Sequence, residues 1–245
     1  MSIPFVHLHV HTDYSLLDGA AKCSSIVAKA AEYECPAVAC TDHGNMSACM
    51  ELKDCCAKKG IKPIFGCEFY VAPGSYLEKD SNTQDIRGFH LICLAETYEG
   101  YINMCHLNEE AWLKGYYYHP RVDKDLLRKY SKGIICLSAC LGGEVAAMFL
   151  RGKDEAAKAA IKEYLDIYGE GNFFIELQDH GLEEDKIVLP KLKAAAREMN
   201  IPMVCTNDSH YMKREDARAH DLFLCIGTQT TINDESRFRM PGGPE

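Results

Sequence analysis

The chain has 245 residues, 47% of them hydrophobic, and a formal net charge of −9 at pH 7. That length allows one large domain or two small ones with a substantial core, and no run of 18 apolar residues is present to span a membrane. The acidic balance argues against a domain that grips duplex DNA through a basic surface of its own, though not against an electropositive site made by bound metal ions.

Thirteen cysteines are an odd number, scattered and without C-x-x-C spacing. A disulfide framework or zinc finger is therefore not expected, and most read as buried thiols in a reducing cytosol. No secretory leader is visible, so a cytoplasmic location is expected.

The first pattern is Phe5-Val6-His7-Leu8-His9-Val10-His11, in which histidines alternate with apolar residues, and Asp18 follows seven positions later. As a strand over 5–11 it would turn His7, His9 and His11 to one face. Three imidazoles with a carboxylate close behind suit metal ligation. The same face also suits a polar strand whose histidines are merely hydrogen-bonded.

Six further apolar, β-branched runs follow at 37–41, 63–71, 90–95, 134–138, 173–178 and 203–206. Helical segments lie between them. They cover 25–33, capped by Ser24; 46–59, stopped by Gly60; 98–112; 144–150; 154–168, stopped by Gly169; 183–200, with Pro190 kinking it or marking its first turn; and 214–226. Strand and helix alternate throughout, which predicts a parallel α/β fold in one domain over 1–227. Seven strands in one series fit a barrel better than two open sheets. Loops 72–88 and 114–132 are longer than packing requires. The second carries Tyr116-Tyr117-Tyr118-His119-Pro120-Arg121, whose tyrosines read as loop packing rather than a base-stacking platform. Residues 228–245 read as a tail or the start of a link to further domains.

In a βα barrel the active site lies at the C-terminal ends of the strands. There this sequence places His9 and His11, Asp42 and His43, Glu68, Cys140, Glu176 with Asp179 and His180, and Asp208 with His210. The strand at 90–95 instead offers His90 at its start. Imidazoles, carboxylates and one thiolate suit Zn, Mn or Fe better than Mg. They exceed the needs of one tetrahedral ion, so a cluster of two or three divalent ions is expected, of the kind that hydrolyses phosphate esters.

The segments HVH, TDHG, GCEFY, HLICLA, LSACLGGEV and TNDSHY together resemble the PHP (polymerase and histidinol phosphatase) domain. The phrases SLLDGAAK, GIKPIFGCEFYV, YYHPRVD and ELQDHG are similar to the branch found at the N-terminus of bacterial replicative DNA polymerases, and the resemblance covers essentially the whole chain. It implies a distorted seven-stranded βα barrel of PHP type with three metal ions on nine ligands. Carried over by motif, these are His9, His11, Asp18, His43, Glu68, His90, Cys140, Asp208 and His210. A competent ligand stands at every position. The resemblance further implies a 3′→5′ exonuclease, with His9, His11, Glu68, Asp208 and His210 at its catalytic heart. The DNA 3′ end would be the substrate, and the remaining polymerase domains and other replicase subunits the partners. His119 stands where lysine is more usual. It and Arg121 are candidate phosphate contacts, and His180 a candidate lining residue.

Asp42 is expected to orient a ligand, and His7 to lie deeper as a core or supporting histidine. His106 and His220 fall in helices as structural or solvated residues. The carboxylates of nucleotide addition are absent, so the chain alone should not polymerise DNA. Two other functions stay open: a metal-stabilised docking module of the replicase, and a small-molecule phosphatase.

Overall fold

The computed structural model describes residues 5–240; the Pro-Gly-Gly-Pro-Glu end at 241–245 lies outside them. In chain order the elements are α1 (Cys23–Glu32), β1 (Ala37–Cys40), α2 (Cys49–Lys59), β2 (Lys62–Val71), β3 (Phe89–Ala95), α3 (Tyr98–Leu113), β4 (Tyr116–Tyr117), β5 (His119–Val122) and α4 (Lys124–Lys129). They continue as β6 (Ile134–Leu137), α5 (Glu144–Leu150), α6 (Asp154–Tyr168), β7 (Phe173–Leu177), α7 (Glu183–Glu198), β8 (Met203–Cys205) and α8 (Ala217–Gly227).

β1 pairs in parallel with β2, β6 with β7, and β7 with β8. β3 runs antiparallel to both of its neighbours, β2 and β6. The N-terminal stretch joins the two ends of this curled sheet. His7 bridges Val38 on one side, and Val10 bridges Ser209, just past β8, on the other. Ala39 N–H donates to the His7 carbonyl (3.0 Å) and His11 N–H to that of Ser209 (2.8 Å). The staves are thus the N-terminal stretch, β1, β2, β3, β6, β7 and β8, the distorted seven-stranded barrel expected from the sequence.

Alternate residues sort the strands into two layers. Phe69, Leu91, Cys136, Phe173 and Ile175 pack outward against Met104, Phe149, Ile161, Tyr164 and Leu192 of the helices. Ile92, Leu94 and Leu137, with Leu8, Ile64, Phe174 and Val204, fill the barrel interior as an apolar plug. On the same inward faces, an even number of residues along each strand, stand Glu68 of β2, His90 of β3 and Glu176 of β7. One end of the barrel is therefore sealed with hydrocarbon, and the other is lined with metal-ligating groups.

Several expectations need correction. The all-parallel sheet fails at β3, because nothing in a strand's own residues encodes its direction. The reversal explains His90: Tyr70 of β2 pairs with His90 across the ladder, so the start of β3 lies at the end where its neighbours finish. The stretch 5–11 is not one regular strand. A bend at His9 breaks the alternation. Leu8 joins the barrel interior, while Val10 packs beneath α1 and α2. His7 is left half-buried in a small cleft with Val10 and Tyr33, away from the face that holds His9 and His11.

α1 starts at Cys23 after Lys22, without the side-chain cap expected from Ser24. The 114–132 loop contains a hairpin (β4–β5) docked on β2 through the Tyr70–Arg121 pair, and then α4. α7 runs through Pro190 without breaking, its first turn carrying Glu183, Glu184 and Asp185.

Candidate metal centre

His9 and His11 end the N-terminal stave, and Asp18 lies on the loop that follows. His43 comes just after β1, Glu68 from β2, His90 from the start of β3 and Cys140 from the turn after β6. Asp208 and His210 follow β8. Their ligand atoms converge in three groups, each within 4.8 Å: His9, His11, Glu68 and Asp208; Glu68, His90 and Cys140; and His11, His43 and His210. Asp18 joins the last group, its Oδ2 lying 2.7 Å from His43 Nε2 and 3.5 Å from His210 Nε2. All nine residues that the motifs single out therefore lie together.

At the middle of the cluster His9 Nε2 and His11 Nε2 stand 3.1 Å apart. Each is 2.9–3.1 Å from Glu68 Oε2 and Asp208 Oδ1. Glu68 turns its other oxygen, Oε1, to His90 Nδ1, with Cys140 Sγ 3.6 Å from the same nitrogen. The His11 ring stacks between those of His43 (4.1 Å) and His210 (4.2 Å).

The tautomers follow from what lies behind the rings. His9 Nδ1–H donates to Glu176 Oε1 (2.7 Å). His11 Nδ1–H donates to Ser15 Oγ (3.0 Å), and that hydroxyl donates to Asp42 Oδ1 (2.7 Å). His210 Nδ1–H donates to the Asp208 carbonyl (2.9 Å). With the proton held on Nδ1, each Nε2 presents a lone pair to the centre, the state a metal ligand needs. Asp42 thus orients His11 through Ser15, and its two oxygens also accept Thr12 N–H and Thr12 Oγ1–H.

The donor set fits divalent cations. His43 Nδ1 is buried without a hydrogen bond, and the buried Asp208 Oδ1 and Glu68 Oε1 meet only imidazole nitrogens, an arrangement that costs free energy unless protons or cations sit among them. Charge tells the same story. Burial alone would lower the pKa of His9, but Asp208 and Glu176 raise it well above the usual imidazole range. For His11, Asp208 and Glu68 likewise overcome burial and lift it to about 9. Burial works against the charge on Glu68 and Asp208, yet the surrounding histidines hold both carboxyls well below the carboxylate range. Without metal, protons on imidazoles balance the carboxylates. Divalent cations would take over that role and displace them.

Local backbone geometry is tight. Ala139 (φ 64°) and Asp208 (φ 50°) are non-glycine residues in the left-handed region. A Cβ on Gly142 would lie 3.1 Å from His90 Nδ1, and one on Gly143 only 2.2 Å from the Ser138 carbonyl. The two glycines after Cys140 let that turn close against His90.

The three substrate candidates separate. His180 stands on the rim of the cleft above the cluster, donating from Nε2 to the Asn207 carbonyl at 3.0 Å. His119 stacks on Tyr70 (4.3 Å), which meets His90 edge-on, so it lies one ring away from the cluster. Burial, then the nearby His90 and His43, lower its pKa to about 4. Arg121 does not reach the site. It is fully buried, and its guanidinium donates to the carbonyls of Gly115, Ile86, Tyr76 and Glu78, pinning the loop before β3.

The cleft has a volume of about 660 Å³, with Asp18, His43, His90 and Cys140 at its floor and Leu141, Leu182, Tyr211 and Phe238 on its walls. Among the described residues, neither Lys nor Arg lines it. Sequence reasoning placed Glu176 at a strand end beside the site but not as the support behind His9, where it also accepts from Gln178 Nε2 (3.0 Å) and from the Thr206 hydroxyl. The available signal was one carboxylate inside the apolar run Phe173-Phe174-Ile175-Glu176-Leu177. Ser15 left no such signal.

Residues 7–180 match the model of the PHP domain. The chain is 45% identical over 236 residues to the DNA polymerase III subunit alpha of Treponema pallidum, covering 96% of this chain and 20% of that protein. It is 47% identical over 244 residues to the subunit of the same name from Deinococcus radiodurans, covering 97% and 18%. The chain thus spans about a fifth of the length of these relatives. Among solved structures, an amidohydrolase from Chromobacterium violaceum superposes with a TM-score of 0.54 at 15% identity, covering 84% of this chain and 87% of that one. A protein assigned as a metal-dependent phosphoesterase from Bifidobacterium adolescentis gives 0.53 at 13%, covering 86% and 89%. At these identities the likeness is one of fold.

Proposed function

This chain belongs to the PHP domain family, and from that premise we propose that it is a metal-dependent phosphodiesterase trimming the 3′ end of DNA within a replicative polymerase alpha subunit. The observation that carries this reading is the convergence of nine donor side chains into three overlapping groups. His11 has only Nε2 to offer, because Nδ1 is bonded to Ser15. It therefore serves one ion, beside His9, Glu68 and Asp208. Glu68 has two oxygens turned to different neighbours and is able to join that group to the one made by His90 and Cys140. Asp18, His43 and His210 make the third.

The mixture of N, O and S donors fits Zn, Mn or Fe. Such cations, when bound, polarise a phosphoryl oxygen, acidify a water and steady the leaving oxygen of an in-line displacement. The chain's own residues prepare for that chemistry. Glu176 and the Ser15–Asp42 pair fix the rings of His9 and His11. Leu141, Leu182 and Tyr211 line the cleft above the cluster. A cleft without Lys or Arg leaves a phosphate's charge to the cluster itself, and His180 on the rim is placed to touch the rest of the substrate. We assign the catalytic core to His9, His11, Glu68, Asp208 and His210, and take 1–227 as the domain, with 228–245 leading toward polymerase domains that would be its partners. No described helix is long and apolar enough to cross a membrane.

The test uses protein purified without chelator, offered a 3′-mismatched primer–template and a simple phosphomonoester, with His11→Ala and Cys140→Ala beside it. Shortening of the primer that both substitutions abolish supports the exonuclease. Bound metal without turnover assigns the domain to a structural role in the replicase. Cleavage of the monoester alone makes it a small-molecule phosphatase.

A further inference from the structure

α8 belongs to none of the barrel's staves, lies beyond the 7–180 match and carries no expected ligand. Its His220 is nevertheless buried against the cluster, 1% exposed. His220 Nε2 lies 2.7 Å from the backbone carbonyl of Asp18. A carbonyl only accepts, so the imidazole carries its proton on Nε2 and donates it there. The ring packs 5.1 Å from Tyr211 and 6.0 Å from His210, which shares the Asp18 carboxylate. At the far end of the same helix Gly227 sits beneath Leu17, where a Cβ would come within 2.8 Å of the Leu17 carbonyl. Leu17 itself is held in the left-handed region at φ 62°. α8 therefore packs against the peptide units on both sides of Asp18.

This packing falls where the cluster needs it. His43, Glu68, His90, Asp208 and His210 sit on staves or within a few residues of their ends, where the barrel's hydrogen-bond ladder sets their position. Asp18 is seven residues past His11 on a surface loop whose neighbour Leu16 is 81% exposed. Its carboxylate faces His43 and His210 only while the loop keeps its shape.

We infer that His220 is a positioning residue of the metal centre, holding Asp18 in place for the ion bound by Asp18, His43 and His210. The inference rests on the three-ion reading above. His220 touches no ion; it acts through the Asp18 carbonyl, as outer hydrogen-bonding partners of metal ligands do.

The test strips the whole chain with a chelator, reloads it with Mn(II) alone, and measures ions per chain and the affinity of the weakest site. His220→Phe keeps the bulk and removes the donor; His220→Gln keeps an N–H. Wild type should bind three ions. His220→Phe should bind two under the same conditions, with the third site weakened about 10–100-fold, and His220→Gln should recover most of the loss. Should His220→Phe not fold, His220→Asn is read the same way, since its shorter amide does not reach the carbonyl. Thermal unfolding of the metal-free proteins separates the alternative. If His220 only anchors α8, the metal-free melting point falls while all three ions bind as in wild type, and the inference is overturned. Wild type binding fewer than three ions would instead overturn the reading on which it rests.

Discussion

Each imidazole at the middle of this centre is controlled from behind. His9 answers to Glu176, His11 to Ser15 and Asp42, and His210 to the carbonyl of Asp208. His119 is a residue of another kind: a half-buried ring beside the histidine cluster, stacked on Tyr70 and neutral at pH 7. Its pKa of about 4, against 6.5 in an unfolded chain, has a definite consequence. Above pH 6.5 neither state binds the proton. Between 6.5 and about 4 the unfolded chain binds it and the folded one does not, so the contribution is fully present above 6.5 and is lost as pH falls. Thermal unfolding of metal-free protein should therefore show wild type losing more stability between pH 7 and pH 5 than His119→Gln. Equal losses would mean that His119 titrates normally. The His-x-His and Asp-x-His pairs were legible because chemistry and spacing coincide in a few residues. The pairing of Glu176 with His9 was not, because the two lie 167 positions apart. Arg121 was misread because an arginine in a motif says nothing of the four carbonyls that close around it.

Among the elements, the turn between β6 and α5 is tightly constrained. Ala139 is left-handed, Gly143 N–H donates to the Cys140 carbonyl, and His90 N–H donates to that of Gly142. Gly143→Ala forces its Cβ against the Ser138 carbonyl, so the turn must open. The expected cost is about 1–3 kcal/mol, read from urea unfolding of the metal-free protein, together with loss of the ion between His90 and Cys140. An unchanged midpoint with full metal content would show that the turn relaxes freely. Apolar runs made the six later strands visible in the sequence, and Gly60 and Gly169 marked two helix ends. The direction of β3 was not visible, because pairing decides it. The β4–β5 hairpin was hidden by strands of two and four residues. The bend at His9 was hidden because an alternating pattern implies regular pleating until a partner strand interrupts it.

At the scale of the molecule, the barrel brings the first and last parts of the chain to one point. His9 and His11 meet Asp208 and His210 because the N-terminal stretch is the stave that closes the ring beside Ser209. The antiparallel β3 delivers His90 to the same rim, and the apolar plug fills the barrel below it. The central claim is a shared metal centre in which Glu68 belongs to two ion sites and Cys140 to one. The direct test is metal per chain, by elemental analysis, for wild type, Glu68→Ala and Cys140→Ala prepared side by side and shown to be folded. The account predicts about three ions in wild type, about two in Cys140→Ala and about one in Glu68→Ala. Equal losses in the two variants, or a wild type holding no more than one ion, would contradict it.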